Sequence, residues 1–329
     1  MDAPPQPLPL ARRNPAAFFL LANLGYMLAV HAPAFYRWPD RWQMLAPNLA
    51  LLYLCIVAVF FLTRLTVQGP WWLGSLAGAT LMANPLKMDA VLQDDGSFAL
   101  LSHAAALGSL ACYAAWRRTG LRPWAVPFLV LFVAATHLQQ LYLGLLLAVL
   151  LWEWLVGPDQ RKPWLILGLL ALIQMEIIYY HFGVYEDLRK APADIFGPLA
   201  LVLYPIGFLP HNALRAYEFP LLTLACAAGA TGLFFLMYRK ARQPALLFAA
   251  GAALATRLFQ PGSVDLVTME RGGGMTGIIA FMMVGVAALC YRMQQHPKWR
   301  KPVVFITTLW CVVLFGLQVR AILHWDSIP

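Results

Sequence analysis

The chain alternates between long apolar runs and short polar connections, and the run lengths set the first expectation. Apolar stretches fall near residues 16–35, 44–63, 70–86, 97–116, 123–137, 140–156, 164–181, 218–238, 245–260, 275–293 and 303–323. A helix needs about 17–25 such residues to cross the hydrocarbon core, where every backbone group must be bonded within the protein. The pattern therefore predicts an all-α, polytopic membrane bundle of about eleven transmembrane helices. The runs 123–137 and 140–156 are short and share a turn at Thr136–Gln140. Residues 197–210 are also apolar, but Pro198, Pro205 and Pro210 interrupt them. They are expected to form a re-entrant or interfacial stretch inside one outside region, 182–217. Broken backbone at that depth must be covered by protein or line an aqueous cavity, so the stretch is expected to border a site.

Residues 1–15 read as a Pro-rich cytoplasmic tail and residues 16–329 as a single integral membrane domain. Arg12 and Arg13 precede the first run, and no convincing small-residue cleavage site follows it. The first run is therefore expected to be a retained helix rather than a signal peptide.

Composition agrees with a lipid solvent. Hydrophobic residues make up 61% and charged residues 12% of the chain, against about half and a quarter in soluble domains. The net charge of +9 does not point to nucleic acid, because no Lys/Arg block is long enough to follow a phosphate backbone. The charges report topology instead. Arg12/Arg13, Arg64, Arg117/Arg118/Arg122, Arg161/Lys162, Arg239/Lys240/Arg242 and Arg292 to Lys301 alternate with acidic connections and are expected to face the cytoplasm. The N-terminus is then inside and the C-terminus outside. The five cysteines are scattered singly through apolar runs and read as buried structural thiols.

The outside connections carry the candidate chemistry. The first, His31–Trp42, holds Asp40 among Arg37, Arg41, Trp38 and Trp42. The tryptophans suit interfacial anchoring in membrane lipid. Asp40 is either a general base or the ion-pair partner of one of its arginines. The second, Asn84–Gly96, places Lys87, Asp89, Asp94 and Asp95 in the densest polar cluster of the chain. Asp94 or Asp95 is positioned to cap a helix starting near Ser97, and the adjacent pair is also a candidate for a divalent cation. The third carries Glu270 and Arg271 before Gly272–Gly274. There, backbone N–H groups can approach a phosphate, or Glu270 and Arg271 simply pair in a flexible loop. In 182–217, Arg215 beside the broken stretch is within reach of a lipid phosphate. Within the runs, Glu176 is an ionisable residue at membrane depth, close to Gln174 and His181. Glu153 lies near the inner end of its run and is expected to snorkel; His103 and His137 are expected to be satisfied core residues. No hydrolase constellation emerges.

The order of these features resembles the membrane half of GT-C glycosyltransferases, most closely the transmembrane-and-tetratricopeptide O-mannosyltransferases and their bacterial relatives. That family carries His-Pro-x-His-x-Glu-Ala-Val, then a glycine and a long apolar helix. Asn84, Pro85, Lys87, Asp89, Ala90 and Val91, with Gly96, look like a diverged form of it. A late Glu-Arg followed by a glycine and a helix is similar to Glu270, Arg271 and Gly277. The resemblance implies a sugar donor on a polyprenyl-phosphate carrier and an acceptor glycan or protein on the outer face; the compact connections and short length point to a bacterial inner membrane, which makes that face periplasmic. It implies Asp40 as base, Lys87, Arg271 and Arg215 near the departing phosphate, and Asp89, Asp94, Asp95 and Glu270 holding substrate, with Asp94 and Asp95 the ligands of any metal. The chain departs from the family in having one acid rather than two in the first connection, and no tetratricopeptide half. Two alternatives stand beside it: a non-catalytic, lipid-carrier-binding subunit in envelope polysaccharide assembly, and a transporter using Glu176.

Overall fold

A computed structural model describes residues 14–84, 88–92, 96–138, 142, 144–158, 163–180, 239, 244–258 and 275–323. Every described element is helical: α1 (Pro15–Arg37), α2 (Trp42–Val67), α3 (Trp71–Ala83), α4 (Met88–Leu92), α5 (Gly96–Thr119) and α6 (Ala125–Leu138). They are followed by α7 (Leu145–Leu155), α8 (Trp164–Tyr180), α9 (Pro244–Leu258), α10 (Met275–Gln294) and α11 (Arg300–Leu323). Single 3-10 turns at Pro39–Arg41 and Arg122–Trp124 lead into α2 and α6. Each apolar run of the sequence except 218–238, which lies outside the described residues together with 182–217, carries a helix.

Five stretches among the described residues are long and apolar enough to cross a membrane: Pro15–Arg37, Pro39–Val67, Gly96–Thr119, Thr276–Gln294 and Arg300–Arg320. Several others fall short. The 13 residues of α3 and the 11 of α7 rise about 20 Å and 16 Å at 1.5 Å per residue, against a hydrocarbon core of about 30 Å. The architecture is that of a helical membrane protein with several apolar spans.

Local chemistry explains the boundaries. Asn14 caps α1 by accepting from the Ala17 N–H at 3.2 Å, with Pro15 at the first helical position. Gln68 closes α2 in the left-handed region at φ 55°, and Gly120 closes α5 at φ 70°, where glycine has no Cβ to clash. Pro85 bars Asn84 from helical geometry, and Asn84 ends α3 extended, with ψ 119°. Contrary to the sequence expectation, α1 runs through Pro33 to Arg37, so His31 is not in a connection. It is fully buried, with Nδ1 2.9 Å from the Met27 carbonyl.

The centre of the bundle is α2, whose Leu52, Cys55, Ile56, Val59 and Phe60 are fully buried. It packs against α3, α4 and α5, while α10 covers both α2 and α3. Close approach depends on missing side chains: a Cβ at Gly74 would stand 2.7 Å from the Phe60 carbonyl oxygen, and one at Gly78 2.8 Å from Ile56 Cγ2. α5 carries α6, and α7 meets α9, which lies along α10. On the flank, α1 packs against α11: the Tyr26 hydroxyl donates to the Cys311 carbonyl at 3.3 Å, and its ring lies 6.1 Å from that of Phe315. The remaining faces of α11 expose Phe305, Ile306, Leu309 and Val312, as a lipid-facing helix does.

Contacts between helix ends gather them in two sets. At one end, Arg118 bonds the Val156 carbonyl at 2.7 Å and Trp72 borders Lys298, Arg300 and Lys301. Arg64, Arg117, Arg122 and Arg292 close helices, or open the next one, at this same end. At the other end, Arg37 bonds the Leu323 carbonyl and Asn48 Nδ2 donates to the Val91 carbonyl at 3.0 Å. The turn holding Asp40 and the short helix holding Asp89 are both here.

Candidate functional site

Of the candidate site residues singled out from the sequence, Asp40 and the backbone of Asp89 are described, and both lie at the acid-bearing end. Asp40 sits in the 3-10 turn between α1 and α2 and is exposed. It pairs with neither arginine: Arg37 reaches across to α11 and lies over the Trp38 ring at 5.3 Å. Asp40 has no hydrogen-bond or ion-pair partner among the described residues. Tyr36 and Trp42 are exposed beside it, as interfacial aromatics are.

The backbone of Asp89 lies in α4, which packs between α2 and α5. Lys87, Asp94, Asp95, Arg215, Glu270 and Arg271 lie outside the described residues. The short helix α4 is tied to the start of α2 by the Asn48–Val91 bond, and the start of α10 lies against Tyr142 and His103 through Gly277.

Beneath this rim is a layer of buried polar groups. His103 of α5 is fully buried and hydrogen-bonded through Nδ1 to the hydroxyl of Tyr142, itself buried in the turn before α7. A Cβ on Gly277, near the start of α10, would come within 2.5 Å of that hydroxyl. The glycine thus admits the Tyr142–His103 pair beside the first turn of α10. Asn48, Asn84, Ser102 and Thr276 are buried in the same end of the bundle. His103 is a satisfied core residue, as its sequence context suggested. His137 is not: it is exposed, its Nδ1 2.9 Å from the Val133 carbonyl. Glu176 lies on the exposed side of α8 near Leu172 and Met175, while Gln174 is buried.

The opposite end holds a cluster that the sequence reading missed. Glu153 does not snorkel. It is 2% exposed and accepts from Arg117 Nε at 2.9 Å and Nη2 at 2.8 Å, and from the Tyr113 hydroxyl at 2.8 Å. Next to it, Trp152 Nε1 donates to Thr66 Oγ1 at 3.0 Å, and the Arg118 guanidinium lies 5.6 Å from the Trp152 ring centre. A bidentate pair with a third donor engages both carboxylate oxygens, which makes this a clamp between α5 and α7 rather than a reactive site. The available signal was an acid near the inner end of one run and an arginine at the inner end of another.

These features define a helical membrane protein with an exposed carboxylate, Asp40, at the end of the bundle that holds a layer of buried polar groups. No known protein family, curated protein or solved structure was found to match the chain.

Proposed function

We propose that the chain is an integral membrane glycosyltransferase that moves a sugar from a polyprenyl-phosphate carrier to an acceptor at the periplasmic face of a bacterial inner membrane. In this reading the chain crosses about eleven times, by the sequence count, with the basic end cytoplasmic, the N-terminus inside and the C-terminus outside. What supports the reading is that Asp40 stands exposed, with no partner among the described residues, in the turn before α2, at the end where Asn48 bonds the Val91 carbonyl of the short helix that carries Asp89. The motif likeness around Asn84–Val91 and Glu270–Gly277 supplies the reaction class.

In the proposed reaction the Asp40 carboxylate takes the proton of an acceptor hydroxyl, whose oxygen bonds to the anomeric carbon of the sugar. The bond from that carbon to the phosphate oxygen breaks, and the carrier phosphate leaves with the electron pair. Lys87 and Arg271, with Arg215 behind them, stabilise the charge as it develops. Asp89, Asp94, Asp95 and Glu270 orient the sugar hydroxyls, and a divalent cation at Asp94 and Asp95 would share that task.

Asp40→Asn is expected to lower transfer from a polyprenyl-phosphate sugar about a hundredfold at unchanged membrane expression. Unchanged transfer would remove Asp40 as the base. A second reading, a non-catalytic carrier-binding subunit of envelope polysaccharide assembly, is favoured by Asp40 being the lone acid of the α1–α2 turn; it requires carrier binding without transfer. The orientation has its own test. An impermeant maleimide added to intact cells is expected to label Asp95→Cys and spare Arg122→Cys, and the reverse pattern would overturn the placement of the site.

A further inference from the structure

At the basic end, the turn from α10 to α11 and the start of α3 enclose a groove of about 770 Å³. It is lined by Trp72, Gln295, Lys298, Arg300, Lys301 and Pro302, among others. The three cations are exposed, and none forms an ion pair or hydrogen bond with another side chain among the described residues. Neighbouring Arg292 is engaged with Gln295 at 3.1 Å. Trp72 is half-buried and packs on the core, giving the groove a firm apolar wall. Trp299, in the same turn, is 51% exposed, and paired aromatics at helix ends mark headgroup depth. Orientation by the positive-inside rule requires basic residues in this connection, but it requires neither a concavity nor an aromatic wall.

We propose that this groove binds the headgroup of an anionic lipid from the leaflet on the basic side. Its phosphate sits among Lys298, Arg300 and Lys301, and its glycerol backbone lies against Trp72. Anionic lipids of the cytoplasmic leaflet supply this ligand in the orientation given above. The inference does not depend on the glycosyl-transfer reading, because it concerns the other end of the bundle.

The test is native mass spectrometry of the full chain in neutral detergent, titrated with phosphatidylglycerol, phosphatidylcholine or inorganic phosphate. The wild type is expected to retain one phosphatidylglycerol in preference to phosphatidylcholine, undisturbed by inorganic phosphate. The variant Lys298→Gln/Arg300→Gln/Lys301→Gln is expected to lose on the order of a hundredfold in that affinity. Its circular dichroism and melting should stay as in the wild type. If it fails to fold, Lys298→Gln/Lys301→Gln tests the same point, with an expected loss of about thirtyfold. Equal retention of the two lipids, unchanged retention by the folded variant, or displacement by inorganic phosphate would each overturn the proposal, the last by making free phosphate the ligand.

Discussion

Glu153→Leu is expected to destabilise the folded bundle by about 3–5 kcal/mol. The carboxylate is 2% exposed and takes both Arg117 bonds, and Tyr113 loses its acceptor at the same time. What makes the single change costly is the guanidinium left behind, itself only 9% exposed. The double variant Glu153→Leu/Arg117→Met leaves no buried charge and is expected to recover most of the loss, ending within about 1.5 kcal/mol of the wild type. Reversible unfolding in mixed micelles, run as a double-mutant cycle, measures both. If the double variant costs as much as the two singles together, the pair is not coupled and the clamp between α5 and α7 must lie elsewhere, for instance in the Trp152–Thr66 bond.

Gly74→Val is the second large effect, expected at about 3 kcal/mol. A Cβ there would stand 2.7 Å from the Phe60 carbonyl oxygen and 2.8 Å from its ring. The carbonyl belongs to a stretch of α2 where Ile56, Val59, Phe60 and Leu62 are fully buried, so the neighbouring backbone has nowhere to retreat. Gly78→Val should cost less, because it meets the ends of Asn23 and Ile56 side chains, which can turn aside. Gly168→Ala is the control. Nothing lies within 4 Å of its added carbon, so the higher helix propensity of alanine should leave stability equal or raise it by up to about 1 kcal/mol. The same micelle unfolding ranks all three, and a Gly74→Val chain as stable as the Gly168→Ala control would refute close packing at the α2–α3 crossing.

The helices were legible because twenty apolar residues in succession admit few other structures in lipid. Their ends were legible where a residue restricts its own backbone, as Pro85 does for Asn84. Pro33 misled for the same reason it informed: proline removes one rung of a helix without always ending it, and α1 continues four residues past Pro33. The role of Glu153 was not legible. Its position in the run suggested an escape to the interface, whereas its fate was decided by Arg117, 36 residues away in sequence. Among the candidate site residues, Asp40 sits where the sequence put it and lacks the arginine partner that was its alternative. The other candidates stand on connections, whose geometry apolar periodicity does not encode.

The contact between α1 and α11 bears on how the protein is made. Tyr26 reaches its acceptor on Cys311 only after 285 further residues have been synthesised, on the order of 15–60 s at 5–20 residues per second. Throughout that interval the flank of α1 that will meet Phe315 has lipid or another protein as its only neighbour. A helix made before every other described one is thus among the last to be completed, and a defect in α11 should surface as a biogenesis failure of α1.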